Sequence, residues 1–306
     1  MMERAGVDTT GGESVASERR TRDIGRMVHL AVTVSLLVLF FWPAFDWAAR
    51  QLESGAEPWQ LILVPFLSLM VISRGVPELH GEPRERCAGL GFPLMLGGAL
   101  LNLFGIVLDH PMPSQVGMVT FLHGAVLFVW GKRGWRGLAF PLLYLFLAVP
   151  LPRTVLVAMT GSLKIIGATV AGKILSLLGL PLVREGALLK FPTFTLVVED
   201  ECSGLQSLIT LSVASLPVAY LMEGRLRRKA LIVLISLPLA LAANVVRLCV
   251  TALLGQRFGE KVSEGWPHML IGVIIVFLAF LSLYGLSNAL SSTAPLTKND
   301  AGKAGP

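Results

Sequence analysis

Apolar residues in this chain come in long unbroken runs with short polar stretches between them, not in the stripes or alternation of a water-soluble protein. Crossing a bilayer as a helix takes roughly 20 predominantly apolar residues. About eight runs approach that length: 28–48, 58–73, 88–108, 114–130, 137–152, 204–222, 230–250 and 268–287. Some are a few residues short and proline interrupts others. The pattern predicts an all-α polytopic membrane protein with about eight transmembrane helices in one bundle. The longest connection, 153–203, departs from it. Val155 to Leu178 has apolar residues at helical spacing with Lys164 and Lys173 inserted, which suits an extracytoplasmic amphipathic helix at the interface or a ninth, paired span. The following "REGALLKFPTFTLVVED" alternates and contains Thr, Val and Phe, so it predicts an extended stretch or small hairpin before the sixth span.

The ends differ from the middle. Residues 1–26 are polar and predict a disordered tail with no convincing A-x-A cleavage site after it, so the first span is expected to be retained. Residues 288–306, rich in Ser, Thr, Lys, Gly and Pro, predict a second tail, leaving 27–287 as a single transmembrane domain. No internal repeat is visible.

Composition sharpens the class. Of 306 residues, 54% are hydrophobic and 15% charged, against about 25% charged in soluble domains. Mean hydropathy is +0.69. The formal charge of +6 is distributed unevenly. Arg19, Arg20, Arg22 and Arg26 precede the first span, and Arg74, Arg84 and Arg86 lie between the second and third. Lys132, Arg133 and Arg136 separate the fourth and fifth, and Arg225, Arg227, Arg228 and Lys229 the sixth and seventh. Alternating spans put all four groups on one face, which the positive-inside rule makes cytoplasmic together with both termini. Glu53, Glu57, Asp109 and Glu199 to Glu201 then fall outside. The basic residues therefore report topology. With no basic surface interleaved with aromatics, nucleic acid is not an expected partner; the lipid bilayer is.

"VVEDECSGLQSL" (197–208) raises the chemical question, because acids and a cysteine crowd the outer border of an apolar helix. Ionisable groups at span borders need a solvated location or a role. Arg247 follows Asn244 by three residues, so both lie on one helix face. From Ala230, Arg247 is about 25 Å along the helix, near the outer boundary of the hydrocarbon. His268 opens the eighth span after Pro267, which suits a first helical turn. Cys202, Arg247 and His268 therefore meet at one membrane depth. A thiol there could act as nucleophile, since cations and a helix N-terminus favour thiolate. His268 could take and return a proton, and Arg247 could stabilise the thiolate or an oxyanion. Asp200 and Glu201 oppose ionisation of the thiol unless they turn to other cations; they could instead orient His268 or bind a peptide substrate.

Each residue alone has an ordinary reading: a small hydrophobe for Cys202, an arginine reaching to headgroups for Arg247, a solvated helix start for His268. Their coincidence on one face points to chemistry. A non-enzymatic scaffold or transporter for envelope or exopolysaccharide assembly is the competing class. A transporter would show repeated halves and polar groups near the midplane, and a scaffold would tolerate loss of any one of the three residues. No G-x-S-G or H-E-x-x-H motif occurs, and no spans carry paired aspartates. Cys87 falls on the face opposite Cys202, so Cys87, Cys202 and Cys249 do not form a metal set, and no metal or cofactor is expected. A Cys202–Cys249 disulfide in an oxidising compartment would silence the nucleophile. Cys249, His123 and His29 suit packing or interfacial roles. Gly97, Gly98 and Gly105 suit close helix packing.

"ECSGLQSL", "NVVR" and "HMLIGVIIVF" occur in this order, each at the border of a predicted span. The set resembles the exosortase/archaeosortase family of polytopic transpeptidase-like enzymes, over roughly residues 90 to 290 and most clearly from 178 on. The matching positions are Cys202, Ser203 and Gly204; Asn244 and Arg247; and His268, Gly272 and Phe277. The resemblance implies an integral membrane cysteine protease or transpeptidase in a bacterial plasma membrane. Its substrates would be membrane-anchored secretory proteins with a C-terminal sorting signal: a short motif such as Pro-Glu-Pro, a transmembrane helix and a basic tail. Cys202 would form a thioester at the motif on the extracytoplasmic side, with Arg247 and His268 assisting and Asn244, Ser203 and Gly204 in support.

Overall fold

The computed structural model describes residues 32–33, 35–53, 59–74, 87–149, 152–199, 202–259, 262 and 265–292. The 1–26 tail, His29, Asp200, Glu201 and everything beyond 292 lie outside the described residues. Eight helices carry most of the rest: α1 (Trp42–Glu53), α2 (Trp59–Ser73), α3 (Ala88–Val107), α4 (Pro111–Tyr144, continued by a 3-10 turn, Leu145–Ala148), α5 (Arg153–Leu177), α6 (Leu205–Leu221), α7 (Leu226–Phe258) and α8 (Gly265–Ser292). Three short strands, β1 (Val183–Glu185), β2 (Leu188–Lys190) and β3 (Thr195–Val197), lie between α5 and α6.

Among the described residues, five helices are long and apolar enough to cross a membrane: Ala88–Val107, Pro111–Ala148, Thr154–Leu177, Leu226–Phe258 and Gly265–Leu290. Gln60–Ser73 and Leu205–Leu221 are apolar but shorter. The protein is thus a polytopic helical membrane protein, with five full-length candidate spans and two shorter apolar helices among the described residues. The runs 114–130 and 137–152 fall in two helices on either side of Gly131, which leaves the helical region at φ 66° and ψ −171°, a conformation a side chain would resist. Of the two readings of 155–178, a membrane span is the one that length and composition favour. α5 buries Thr160, Ala168, Ala171 and Leu175, while its exposed side carries Val155, Val157, Ile165, Ile166, Val170 and Ile174. A helix apolar on both faces suits lipid better than an interface with water.

The chain divides into two compact units, Met1–Pro58 with Arg84–Gly131 and Trp59–Pro83 with Lys132–Pro306. In the first, α3 and the start of α4 form an antiparallel hairpin packed backbone to backbone. A Cβ added to Gly98 would lie 2.6 Å from the Gly117 carbonyl oxygen, and one on Gly91 2.9 Å from that of Gly124. Glycines seven residues apart therefore form the seam, the small-residue packing available to helices in lipid. Gly98 and Gly105 belong to it, but Gly97 faces open space. Pro43 has no N–H, and the Ala44 N–H turns to the Phe41 carbonyl at 3.0 Å. That frees the Phe40 carbonyl, and the fully buried Asn102 donates Nδ2–H to it at 2.7 Å.

The second unit solves the same problem in the same way. Pro217 inside α6 cannot donate to the Val213 carbonyl, which instead accepts the Tyr144 hydroxyl at 3.0 Å. Leaving such a carbonyl unpaired in hydrocarbon would cost several kcal/mol. At the start of α7, Arg228 donates to the Leu290 carbonyl at the end of α8 (2.9 Å) and Lys229 to the Tyr220 carbonyl at the end of α6 (3.1 Å). The densest basic run thus caps two helix C-termini, where cations are favoured.

The alternating stretch before α6 becomes a three-stranded antiparallel sheet in the order β1-β2-β3. Gly186, at φ 61°, makes the first turn, and stacked Phe191 and Phe194 (4.9 Å between centroids) close the second. Leu189 and Leu196 face inward and share one core cluster with Ala168, Ala171 and Leu175 of α5, with Leu248 and Ala252 of α7, and with Cys202. Gly255 leaves room on α7 for the Phe194 ring, which a Cβ would approach to 2.6 Å.

The glycine seam predicts opposite effects at adjacent positions. Gly98→Ala forces helices apart and should lower unfolding free energy in detergent by about 1–3 kcal/mol. Gly97→Ala, facing open space, should leave it unchanged or raise it by a few tenths through helix propensity.

Candidate active site

The chain reaches Cys202 through a turn in which its N–H donates to the Glu199 carbonyl at 3.1 Å. Ser203 follows, its Oγ accepting the Leu205 N–H at 3.3 Å and so satisfying one donor at the start of α6. Gly204 sits in the left-handed region at φ 87°. A Cβ there would also lie 2.6 Å from Asn244 Nδ2. Glycine is needed twice over: for its backbone conformation, and to admit the amide that donates to the Cys202 carbonyl at 3.2 Å. Asn244 therefore fixes the backbone that carries the thiol.

Arg247, one turn beyond Asn244, is 5% exposed. Its guanidinium lies against α8 at Gly272, where a Cβ would come within 2.9 Å of Cζ. His268 precedes Gly272 by one helical turn, on the same face. Pro267 lies in the first turn of α8, where its missing N–H costs nothing. The three side chains converge on one atom: His268 Nε2 is 2.7 Å from Cys202 Sγ and 2.7 Å from Arg247 Nη2. Cys202 is 4% exposed and His268 5%.

Donor chemistry assigns the protons of this arrangement. A guanidinium has no acceptor, so Nε2 must be the acceptor and the imidazole proton belongs on Nδ1. The thiol and the guanidinium then compete for one lone pair. The Nδ1 of His268, the Oδ1 of Asn244 and the Oγ1 of Thr251 (one turn past Arg247) are buried and find no hydrogen-bond partner among the described residues. Buried polar atoms are rarely left so; a concentration of them beside a thiol marks a place where an added polar group would be bound.

The structure brings together Cys202, Ser203, Gly204, Asn244, Arg247, His268 and Gly272 from the approach to α6, from α7 and from α8. Phe277 is not among them; it is 58% exposed on α8. Glu199 is exposed and contributes its carbonyl alone. Cys87, Cys202 and Cys249 are free thiols. One residue of the site was missed in the sequence. Gly167 of α5 lets that helix approach, since a Cβ there would lie 3.2 Å from Leu248 and 3.5 Å from Asn244 Nδ2. The signal for it was the run of small residues Gly167, Ala168, Ala171 and Gly172 at helical spacing.

A polytopic membrane protein with a buried thiol, imidazole and guanidinium in contact is the class that fold and site define. The family model for transmembrane exosortases matches residues 53–285, and the chain belongs to that family. At family level it is a membrane protein-sorting transpeptidase. Comparison with the curated proteins and with the solved structures gives no match.

Gly204→Ala should cost about 1–3 kcal/mol of unfolding free energy, from backbone strain and the clash with Asn244 together. Adding Asn244→Ala should return the part due to the clash and leave the strain, a non-additivity that a double-mutant cycle in detergent would measure.

Proposed function

We propose that the protein is an integral membrane cysteine transpeptidase that cleaves a C-terminal sorting signal from secreted, membrane-anchored proteins. The convergence of Sγ and Nη2 on Nε2, both at 2.7 Å, carries this reading. Cys202 is the nucleophile. As its proton passes to His268 Nε2, that atom changes from acceptor to donor and can no longer receive the guanidinium. Arg247 is released toward the negative charge, first on sulfur and then on the tetrahedral oxyanion. The thiolate so formed lies between two cations, which offsets placing imidazolium beside guanidinium. His268 then protonates the leaving amine, and the acyl group remains on Cys202 as a thioester. An amine or water resolves it and regenerates the thiol.

Depth supports the orientation. From Leu226, beside the basic run, to Arg247 is about 31 Å of helix, close to the thickness of the hydrocarbon layer. The basic run is cytoplasmic and the site extracytoplasmic, in a bacterial plasma membrane. There a substrate helix lying in the bilayer delivers the residues just outside it to Cys202. The sorting signal is the one the family resemblance implies: a motif such as Pro-Glu-Pro, an apolar helix and a basic tail.

The test is processing of a tagged secreted reporter with that C-terminal signal in cells, with enzyme levels checked in parallel. Cys202→Ala, Cys202→Ser and His268→Ala should leave the reporter full length at normal enzyme level. Arg247→Ala should slow processing by roughly 10²–10³-fold, and Arg247→Lys should restore little, because an ammonium lacks the planar fork. Unchanged processing by Cys202→Ala would remove the thiol from the mechanism. Gly272→Ala, which displaces the guanidinium without altering it, should slow processing while Cys202 remains accessible to small alkylating reagents.

A further inference from the structure

The three-stranded sheet has an unfinished edge, and that edge leads to the thiol. In an antiparallel pair, residues alternate between those bonded to the partner strand and those whose N–H and C=O point away. The Phe191 N–H donates to the Phe194 carbonyl at 2.9 Å and the Val198 N–H to the Ala187 carbonyl at 3.1 Å. With Leu189 opposite Leu196, these fix Phe194, Leu196 and Val198 as the residues bonded toward β2. Thr195 and Val197 must direct their backbone groups the other way. Among the described residues no strand receives them, since β3 pairs with β2 alone. The Val197 carbonyl accepts the Glu199 N–H at 3.1 Å. What remains is a row of donor, acceptor and donor: Thr195 N–H, Thr195 C=O and Val197 N–H.

Side chains match this division. Leu196 and Val198 are 1% exposed and pack in the core cluster that includes Cys202, whereas Val197 is 48% exposed. β3 ends five residues before Cys202, and the turn closed by the Glu199 carbonyl joins the two. An unpaired strand edge is a template for another extended chain, and peptide-binding proteins use such edges for affinity that does not depend on sequence.

We infer that β3 is the substrate-binding strand: an extended peptide segment adjoining the scissile bond pairs with its free edge as a fourth strand. The inference rests on the proposed peptidase reading and adds how the substrate is held. Backbone pairing sets the register of the peptide relative to Sγ, and side-chain recognition is left to other surfaces. It also accounts for a signal whose recognisable part is only a few residues long.

The edge can be altered without altering the sheet. Val197→Pro removes an outward N–H and no bond to β2, the position at which strands tolerate proline. Val197→Ala keeps the N–H and removes the side chain. The probe is a tetrapeptidyl chloromethyl ketone, with iodoacetamide as a reagent that has no peptide backbone. The readout is the rate at which each alkylates Cys202 in purified protein, followed by mass spectrometry of the Cys202 peptide. Wild type and Val197→Ala should prefer the peptidyl reagent over iodoacetamide to the same degree. Val197→Pro should lose roughly three- to tenfold of that preference, the worth of one hydrogen bond, with its iodoacetamide rate unchanged. On the reagent side, N-methylation along the tetrapeptide should remove the preference at alternate positions only. Equal loss in Val197→Ala and Val197→Pro, or uniform tolerance of N-methylation, would overturn the inference. A peptide preference that behaves as expected while the sorting reporter goes unprocessed would refute the proposed function and leave the edge site standing.

Discussion

A guanidinium buried between membrane helices constrains everything within a few ångströms of it. Arg247 cannot shed its charge, and burying it unpaired would cost many kcal/mol. Its Nη2 meets a neutral acceptor on the facing helix, His268 Nε2, and its Cζ lies against a position of α8 that has no side chain, Gly272. Those contacts fix the rotation of α7 against α8. The same rotation carries Asn244 to the Cys202 carbonyl, which in turn requires Gly204. Short motifs far apart in the chain are thus one packing problem: a cation, the ring that receives it, the thiol sharing that ring, and two glycines that make room.

The second constraint is the hydrocarbon itself, which offers no water to an unpaired backbone group. Prolines within and beside the helices release carbonyls, and polar side chains on neighbouring helices take up two of them, Asn102 at Phe40 and Tyr144 at Val213. These bonds give Asn102 and Tyr144 a structural role rather than one in a transport path. Asn102 also keeps an unpartnered Oδ1, but the unpartnered atoms of His268 and Asn244 belong to side chains that touch Cys202, and that placement makes the thiol's surroundings a binding place.

Much of this was readable in the sequence because the relevant signals were local. Apolar runs predicted the helices, and the i, i+3 spacing of Asn244 and Arg247 predicted a shared face. Ordered motifs pointed to Cys202, Arg247 and His268 before their contact was known. Where legibility failed, the deciding contacts were distant in sequence. The break between 114–130 and 137–152 falls at Gly131 through its backbone, and hydropathy does not register one residue. Helix α5 looked amphipathic because Lys164 and Lys173 interrupt it, but the face each residue presents depends on the strands and on α7. The alternating segment announced strands without revealing that three form or which edge stays open. Phe277 shares a motif with His268 and Gly272 but points away from the site, since nine residues of helix after His268 bring it to a different face and depth.

The central claim is that Cys202 becomes acylated by the substrate. The most direct measurement is mass spectrometry of the Cys202-bearing peptide from enzyme quenched in acid during turnover of the sorting reporter. A mass increase equal to the N-terminal product, removed by hydroxylamine, is the predicted result. Continued release of processed reporter with Cys202 unmodified at every time, and processing undiminished when the thiol is blocked beforehand, would contradict it.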